Sequence, residues 1–172
     1  MNVRHYKTIV VGGGPSGVAC GYTLKKHDED CLILDAKDFP REKLCGGGLT
    51  AKTHILIDQV FDKVKYDYVG FKSIKLYEKN ILLRRVSLKK ELRVVCRKDL
   101  DNILLNTYLD AGGVVKTGRV SSVEKKDGLI TVLLETGEQY TCDYLVGADG
   151  ANSTVRRSCF SSVNTKTLLL EK

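Results

Sequence analysis

The sequence predicts an α/β fold in which a parallel sheet is interrupted by a small antiparallel β-meander, and three observations predict it. A short apolar run, Thr8-Ile9-Val10, leads into Gly12-Gly13-Gly14-Pro15-Ser16-Gly17, which reads as strand, tight turn and helix start. A second continuous apolar run, Cys31-Leu32-Ile33-Leu34, suits a parallel strand buried on both faces. Between Arg119 and Cys142, three strand-like segments are separated by Asp127-Gly128 and Thr136-Gly137, hairpin punctuation where a simple nicotinamide dehydrogenase half would continue as βαβαβ.

In chain order, the first unit is a βαβ of Rossmann type: a strand over Lys7–Val11, a helix over Pro15–His27 and the strand that begins at Cys31. Gly12, Gly14 and Gly17 have the G-x-G-x-x-G spacing. Gly12 permits the sharp turn, Gly14 lets the backbone approach a pyrophosphate, and Gly17 lets the helix pack tightly on the strand. The helix start points unpaired N–H groups at the phosphates, and Pro15 loses nothing in that first turn. Asp35, 23 positions after Gly12, ends the second strand where such a fold needs an acceptor for the adenosine ribose hydroxyls.

Residues 36–49 form a loop in which Pro40 prevents a continuous helix, and Gly46-Gly47-Gly48 bare the backbone to a planar ligand. A helix is expected over Thr50–Val60, followed by strands at Ser73–Glu78 and Ile81–Leu88 joined at Lys79-Asn80. Leu100, Ile103, Leu104, Tyr108 and Ala111 recur at helical spacing over Lys98–Ala111, with Gly112 as the stop. The meander follows as Arg119–Lys125, Leu129–Glu135 and Glu138–Cys142. A further buried parallel strand, Tyr144–Ala148, ends in Asp149-Gly150, and no periodicity is evident over Ser158–Thr167.

Composition bounds the function. At 172 residues, 42% apolar and with two prolines, the chain reads as a single globular domain without repeats or low-complexity tracts. No signal-peptide pattern or bilayer-length apolar run is seen, so a cytoplasmic protein is expected. Cys20, Cys31, Cys45, Cys96, Cys142 and Cys159 include no C-x-x-C pair, which argues against structural zinc and a disulfide framework. The formal charge of +7 is spread over pairs such as Lys25-Lys26, Arg84-Arg85 and Lys125-Lys126 without a nucleic-acid motif. It leaves attraction to an anionic membrane surface, and so peripheral membrane contact, as the partner to consider.

Three stretches together, Gly12–Gly17 with Asp35, Arg41–Leu49, and Tyr144–Arg157, resemble the flavoprotein group of FAD-dependent monooxygenases, flavin halogenases and geranylgeranyl reductases. The last stretch resembles the group's second flavin signature, an apolar strand followed by G-A-D-G-x-x-S-x-x-R. Pro40-Arg41-Glu42-Lys43-Leu44-Cys45-Gly46-Gly47-Gly48-Leu49 is most similar to the geranylgeranyl reductase branch.

The resemblance implies FAD as cofactor and a set of site residues. Gly12, Gly14, Pro15, Ser16 and Gly17 would cradle the diphosphate, and Asp35 with Ala36 would hold the adenosine end. Arg41, Cys45, Gly46 and Gly47 would line the approach to the flavin ring, and Arg97 would contact the diphosphate–ribityl region. Val120 would meet the adenine with its backbone, and Asp149 would reach the ribityl chain. Arg156 or Arg157 would brace the Asp149 turn. Cys45 is the catalytic candidate: beside the flavin it could donate a proton, pack on the ring or react with a developing carbanion, helped if a helix N-terminus lowers its pKa.

Members of the group are roughly twice as long, and the resemblance implies that the third flavin motif and most of the substrate-binding sheet are not in this sequence. The resemblance therefore implies the N-terminal part of an enzyme, whether truncated, split or a fragment. The first functional reading is reduction of carbon–carbon double bonds in a prenyl or other apolar substrate, with NAD(P)H or ferredoxin left open as electron donor. Flavin monooxygenation is the second reading, and a non-catalytic nucleotide-binding fragment the third.

Overall fold

The computed structural model describes residues 3–160. The chain divides into two compact units, one running up to Phe39 and resuming at Leu104, the other spanning Pro40–Ile103. In the first unit, β1 (Arg4–Val11), α1 (Pro15–Lys26) and β2 (Cys31–Asp35) form the expected βαβ. β6 (Val114–Thr117), β7 (Val120–Lys126), β8 (Leu129–Leu134) and β9 (Gln139–Gly147) complete a six-stranded sheet of order β6-β2-β1-β9-β8-β7. The described chain of this unit closes with α4 (Thr154–Cys159), so a short helix occupies the start of the stretch that shows no periodicity; the expectation for the chain end lies, from residue 161 on, outside the described residues.

β1 pairs parallel with β2 on one side and with β9 on the other, and β6 extends the sheet beyond β2. All five residues of β2 are buried, as its apolar run requires. Ile9 and Val11 with Leu32 and Leu34 face one core, shared with Val123, Val132, Leu134 and Val155. Val10 and Ile33 face the other layer, where a Cβ on Gly21 of α1 would lie 2.8 Å from Ile33 Cδ1 and 3.2 Å from the Tyr108 ring, so the helix sits directly on the strand.

Two expectations change. The meander is present, but its third strand and the following parallel strand are one element: β9 pairs antiparallel with β8 over Gln139–Cys142 and parallel with β1 over Tyr140–Gly147. Asp143 does not break the strand, because its side chain points outward to His5 Nε2 at 3.5 Å. Nor is the end of β9 fully buried: Tyr144 is 62% exposed, and Leu145 and Val146 are half-buried. β6 was not expected, because glycines close off its four residues on both sides.

The second unit contains β3 (Gly48–Leu49), α2 (Ala51–Val60), β4 (Val69–Glu78), β5 (Ile81–Val94) and the start of α3 (Arg97–Asp110), which continues into the first unit. β3-β5-β4 form a separate antiparallel sheet. Thr50 caps α2 by accepting from Thr53 N. β5 runs six residues past its expected end because its base is tied down: His54 Nε2 lies 3.3 Å from Glu91 O, and Arg93 bonds Tyr66 Oη at 3.0 Å and lies 4.2 Å from the centre of the Tyr68 ring.

Within the first unit, the C-terminal end of α3 is locked by Tyr108. Its buried hydroxyl donates to Cys31 O at 2.8 Å and accepts from Val114 N at 3.2 Å, joining helix, β2 and β6. A Cβ on Gly113 would lie 2.4 Å from this ring, so that position must be glycine. Tyr108→Phe leaves a buried carbonyl and N–H without that partner, and unfolding in urea should show a loss of about 1–3 kcal/mol.

Candidate functional site

In the six-stranded sheet, the chain proceeds outward from β1 to β2 and β6 on one side, and β9 lies on the other. The strand order therefore reverses between β1 and β9, and open α/β sheets bind ligands beyond the strand ends at that point. The residues there are Gly12–Gly17 after β1, Asp35 at the end of β2, and Asp149 after β9.

The glycine turn leaves no space for side chains. Gly12 has φ +109°, and a Cβ on it would lie 2.3 Å from Ala148 O. A Cβ on Gly17 would lie 1.8 Å from Gly12 O, so α1 starts against the turn itself. Gly14 is the N-cap of α1, Pro15 follows in its first turn, and neither a capping side chain nor an acidic residue meets the helix start. Backbone N–H groups and the positive end of the helix dipole are thus presented bare, the arrangement that holds a phosphate. Ser16 and Gly17 lie in this same turn.

Asp35 is buried, and its carboxylate is built into the loops: Oδ2 accepts from Gly13 N at 2.7 Å and Oδ1 from Lys37 N at 3.0 Å. Ala36 beside it is exposed. Val120 turns its side chain into the core beside Val123 and Leu134, which leaves only its backbone for a ligand.

Asp149 carries the clearest polar vacancy of bonding. Its Oδ2 accepts from Thr154 N at 2.6 Å and Val155 N at 3.2 Å, whereas Oδ1 is buried without a hydrogen-bond partner. Such an acceptor is expensive unless a ligand donor meets it. The brace on this turn is as expected, with Arg156 donating to Ala151 O at 2.9 Å and Arg157 to Asn152 O at 2.7 Å. Bare helix N–H groups, a carboxylate at the end of β2 and a buried lone acceptor after β9 fit the phosphates, ribose and sugar-alcohol chain of FAD.

The second unit gathers Arg41, Cys45, Gly47 and Arg97 around Asp101, a residue sequence reasoning missed. The Asp101 side chain has no exposure; it takes Arg97 Nε at 2.8 Å and Nη2 at 3.0 Å, with Arg41 Nη1 at 3.8 Å. The fork-to-carboxylate geometry fixes the guanidinium plane of Arg97. The signal was the i, i+4 spacing of Arg97 and Asp101. It is hidden because an exposed pair has the same spacing.

Cys45 is exposed, and its thiol pKa is lowered, first by the Gly47 N–H, 3.5 Å from Sγ, and then by the Arg97 guanidinium, against an opposing desolvation effect. The cause is therefore a turn N–H and a cation, in place of the expected helix terminus. Gly47 has φ +69°, and a Cβ on it would lie 2.0 Å from Val95 O, so its glycine is required by Val95, the residue after β5. Its carbonyl accepts from Val95 N at 3.0 Å. A Cβ on Gly46 or Gly48 would meet nothing within 4 Å, so the bare backbone expected of the three glycines is a structural need only at Gly47. Among the described residues, no cluster of three His, Cys, Asp or Glu side chains could hold a metal ion.

Comparisons with known proteins identify the family of the chain. A family model described as FAD binding domain matches residues 5–168. The uncharacterized protein Mbar_A1602 of Methanosarcina barkeri is 32% identical over 161 residues, covering 92% of this chain and 41% of that protein. The menaquinone reductase of Mycobacterium tuberculosis is 27% identical, covering 87% of this chain and 38% of its own. Among solved structures, p-nitrophenol 4-monooxygenase PnpA of Pseudomonas putida superposes with a TM-score of 0.78 at 15% identity, covering 92% of this chain and 44% of that one. The chain thus spans about two fifths of the length of the curated relatives it matches.

Two outcomes test the second-unit cluster. Arg97→Gln removes the cation beside Cys45, so the pH midpoint of Cys45 alkylation, followed by peptide mass spectrometry, should rise. Asp101→Asn removes the buried anion from beside two half-buried guanidinium groups and should lower stability by about 3 kcal/mol in urea unfolding.

Proposed function

The chain belongs to the FAD binding domain family, and from that premise we propose that it is the cofactor-binding part of a flavin-dependent oxidoreductase that reduces carbon–carbon double bonds of an apolar, prenyl-type substrate. The observation that carries the proposal is the convergence of the glycine turn, Asp35 and Asp149 at the strand-order reversal of the sheet. FAD, when bound, supplies hydride transfer. The N–H groups of Gly14, Ser16 and Gly17 would hold its diphosphate, Asp35 with Ala36 and the backbone at Val120 would hold the adenosine end, and Asp149 Oδ1 would accept from the ribityl chain.

In the second unit, Asp101 holds Arg41 and Arg97 in place, and where the resemblance puts the flavin ring their positive charge would favour its anionic, reduced form. Cys45, with its lowered pKa, is suited to give or take a proton at Sγ during reduction. What favours reduction over oxygenation is this thiol–guanidinium pair. The relatives include a menaquinone reductase and FAD-dependent monooxygenases at the same 27% identity, so they bear equally on both readings.

FAD added to the purified chain should bind with a shifted flavin spectrum. Asp149→Asn can still cap α4 through its amide oxygen but presents an NH2 group where Oδ1 accepts. It should weaken FAD binding about tenfold or more with little change in melting temperature. A protein that cannot be reconstituted with FAD would leave only the fragment reading.

In an enzyme carrying this domain with its substrate domain, turnover without oxygen identifies a reductase, and arrest without oxygen a monooxygenase. There, Cys45→Ser should lower turnover and leave FAD bound; unchanged turnover would remove Cys45 from the chemistry.

A further inference from the structure

Arg93 lies on β5 between two partner strands, opposite Leu49 of β3 on one side and Gly70 of β4 on the other. Its side chain is only 20% exposed and has four partners. Nη1 donates to Tyr66 Oη at 3.0 Å and lies 4.0 Å from Asp58 Oδ2 of α2, and Nε donates to Glu91 Oε1 at 3.4 Å. The guanidinium carbon lies 4.2 Å from the centre of the Tyr68 ring. So many partners fix the orientation of one cation far more closely than an exposed ion pair would. None of them belongs to the candidate flavin site.

The same stretch of β5 is fastened to α2 at two points one helical turn apart. Buried His54 donates from Nε2 to Glu91 O at 3.3 Å, since a carbonyl can only accept, and Asp58, four residues on, faces Arg93. Directly before α2 and its cap Thr50 comes β3, which is two residues long and has too few ladder bonds to order the preceding loop by itself. Gly48 and Leu49 are therefore held from two sides, by α2 and by β5. One step further along, Val95 N donates to Gly47 O at 3.0 Å, and Val95 O lies where a Cβ of Gly47 would be. Val95 thus sets the conformation of Gly47, whose N–H lies 3.5 Å from Cys45 Sγ.

We propose that Arg93 is a positioning residue for Cys45: by clamping the end of β5 to α2 and to the Tyr66–Tyr68 segment, it keeps the Gly47 N–H aimed at the Cys45 sulfur. Arg97 supplies positive charge at that sulfur, with Asp101 behind it. Arg93 supplies geometry, through Val95 and Gly47. For catalysis the inference rests on the proton-transfer role proposed for Cys45, whereas its test needs neither flavin nor substrate.

The thiolate is the form that alkylates, so the pH midpoint of Cys45 alkylation by iodoacetamide, followed by peptide mass spectrometry of the purified chain, reads the surroundings of the sulfur. Arg93→Gln should raise that midpoint by about one pH unit, the size expected when a charged sulfur loses a hydrogen bond. Tyr66→Phe removes one partner of the clamp and no charge, and should raise the midpoint in the same direction by less. The double variant should shift no further than Arg93→Gln alone, because both changes act through one clamp. Hydrogen exchange over residues 44–49 should quicken in the same variants. Tyr108→Phe, which loosens the first unit, should leave both readouts unchanged. Circular dichroism checks that each variant is folded, and Tyr66→Phe decides alone if Arg93→Gln is not.

An unchanged midpoint in folded Arg93→Gln, a shift there with none in Tyr66→Phe, additive shifts in the double variant, or an equal shift in Tyr108→Phe would overturn the inference. Unchanged turnover in Cys45→Ser, by contrast, would remove the catalytic reading and leave the alkylation result standing.

Discussion

The approach of Gly17 to the carbonyl of Gly12 is the constraint on which the first unit depends. A Cβ at Gly17 would fall 1.8 Å from Gly12 O, and one at Gly12 would fall 2.3 Å from Ala148 O. Three chain segments, the end of β1, the start of α1 and the end of β9, thus meet through bare backbone. The close approach brings the helix N-terminus to the sheet edge, and the same turn passes Gly13 N to Asp35. A bare helix N-terminus and close strand packing are therefore one geometric requirement. A larger residue there would displace both.

Charge organises the second unit in a comparable way. Asp101, fully buried, holds Arg97 through two parallel bonds and has Arg41 close by, so two cations are ordered around one anion. The excess positive charge is directed at the exposed loop that carries Cys45, where it stabilises a thiolate. An ion cluster of this kind contributes little net stability, because desolvation offsets the attraction. Its value lies in fixing where the charge sits.

Much of the fold was legible because its signals are local. The βαβ unit follows from the glycine spacing and the apolar run at Cys31–Leu34, and the hairpin turn at Asp127-Gly128 adopts positive φ at both residues. The errors arise where pairing replaces local preference. Asp143 reads as a break in a strand, yet β9 passes through it because β1 supplies partners from Tyr140 to Gly147. Val114–Thr117 is too short to announce itself, and it becomes a strand because β2 offers an edge and Tyr108 ties it down.

The candidate site divides in the same way. The sequence by itself determined the glycine turn, the carboxylates at Asp35 and Asp149 and the position of Cys45, because each depends on residue type and spacing along a few neighbouring residues. Tertiary structure alone decided that Asp149 keeps one buried oxygen unbonded, that Gly47 is required by Val95, and that Asp101 lies beneath Arg97 and Arg41. Those features depend on burial and on contacts between residues far apart in the chain. A pattern of residue types carries neither a distance nor a degree of exposure.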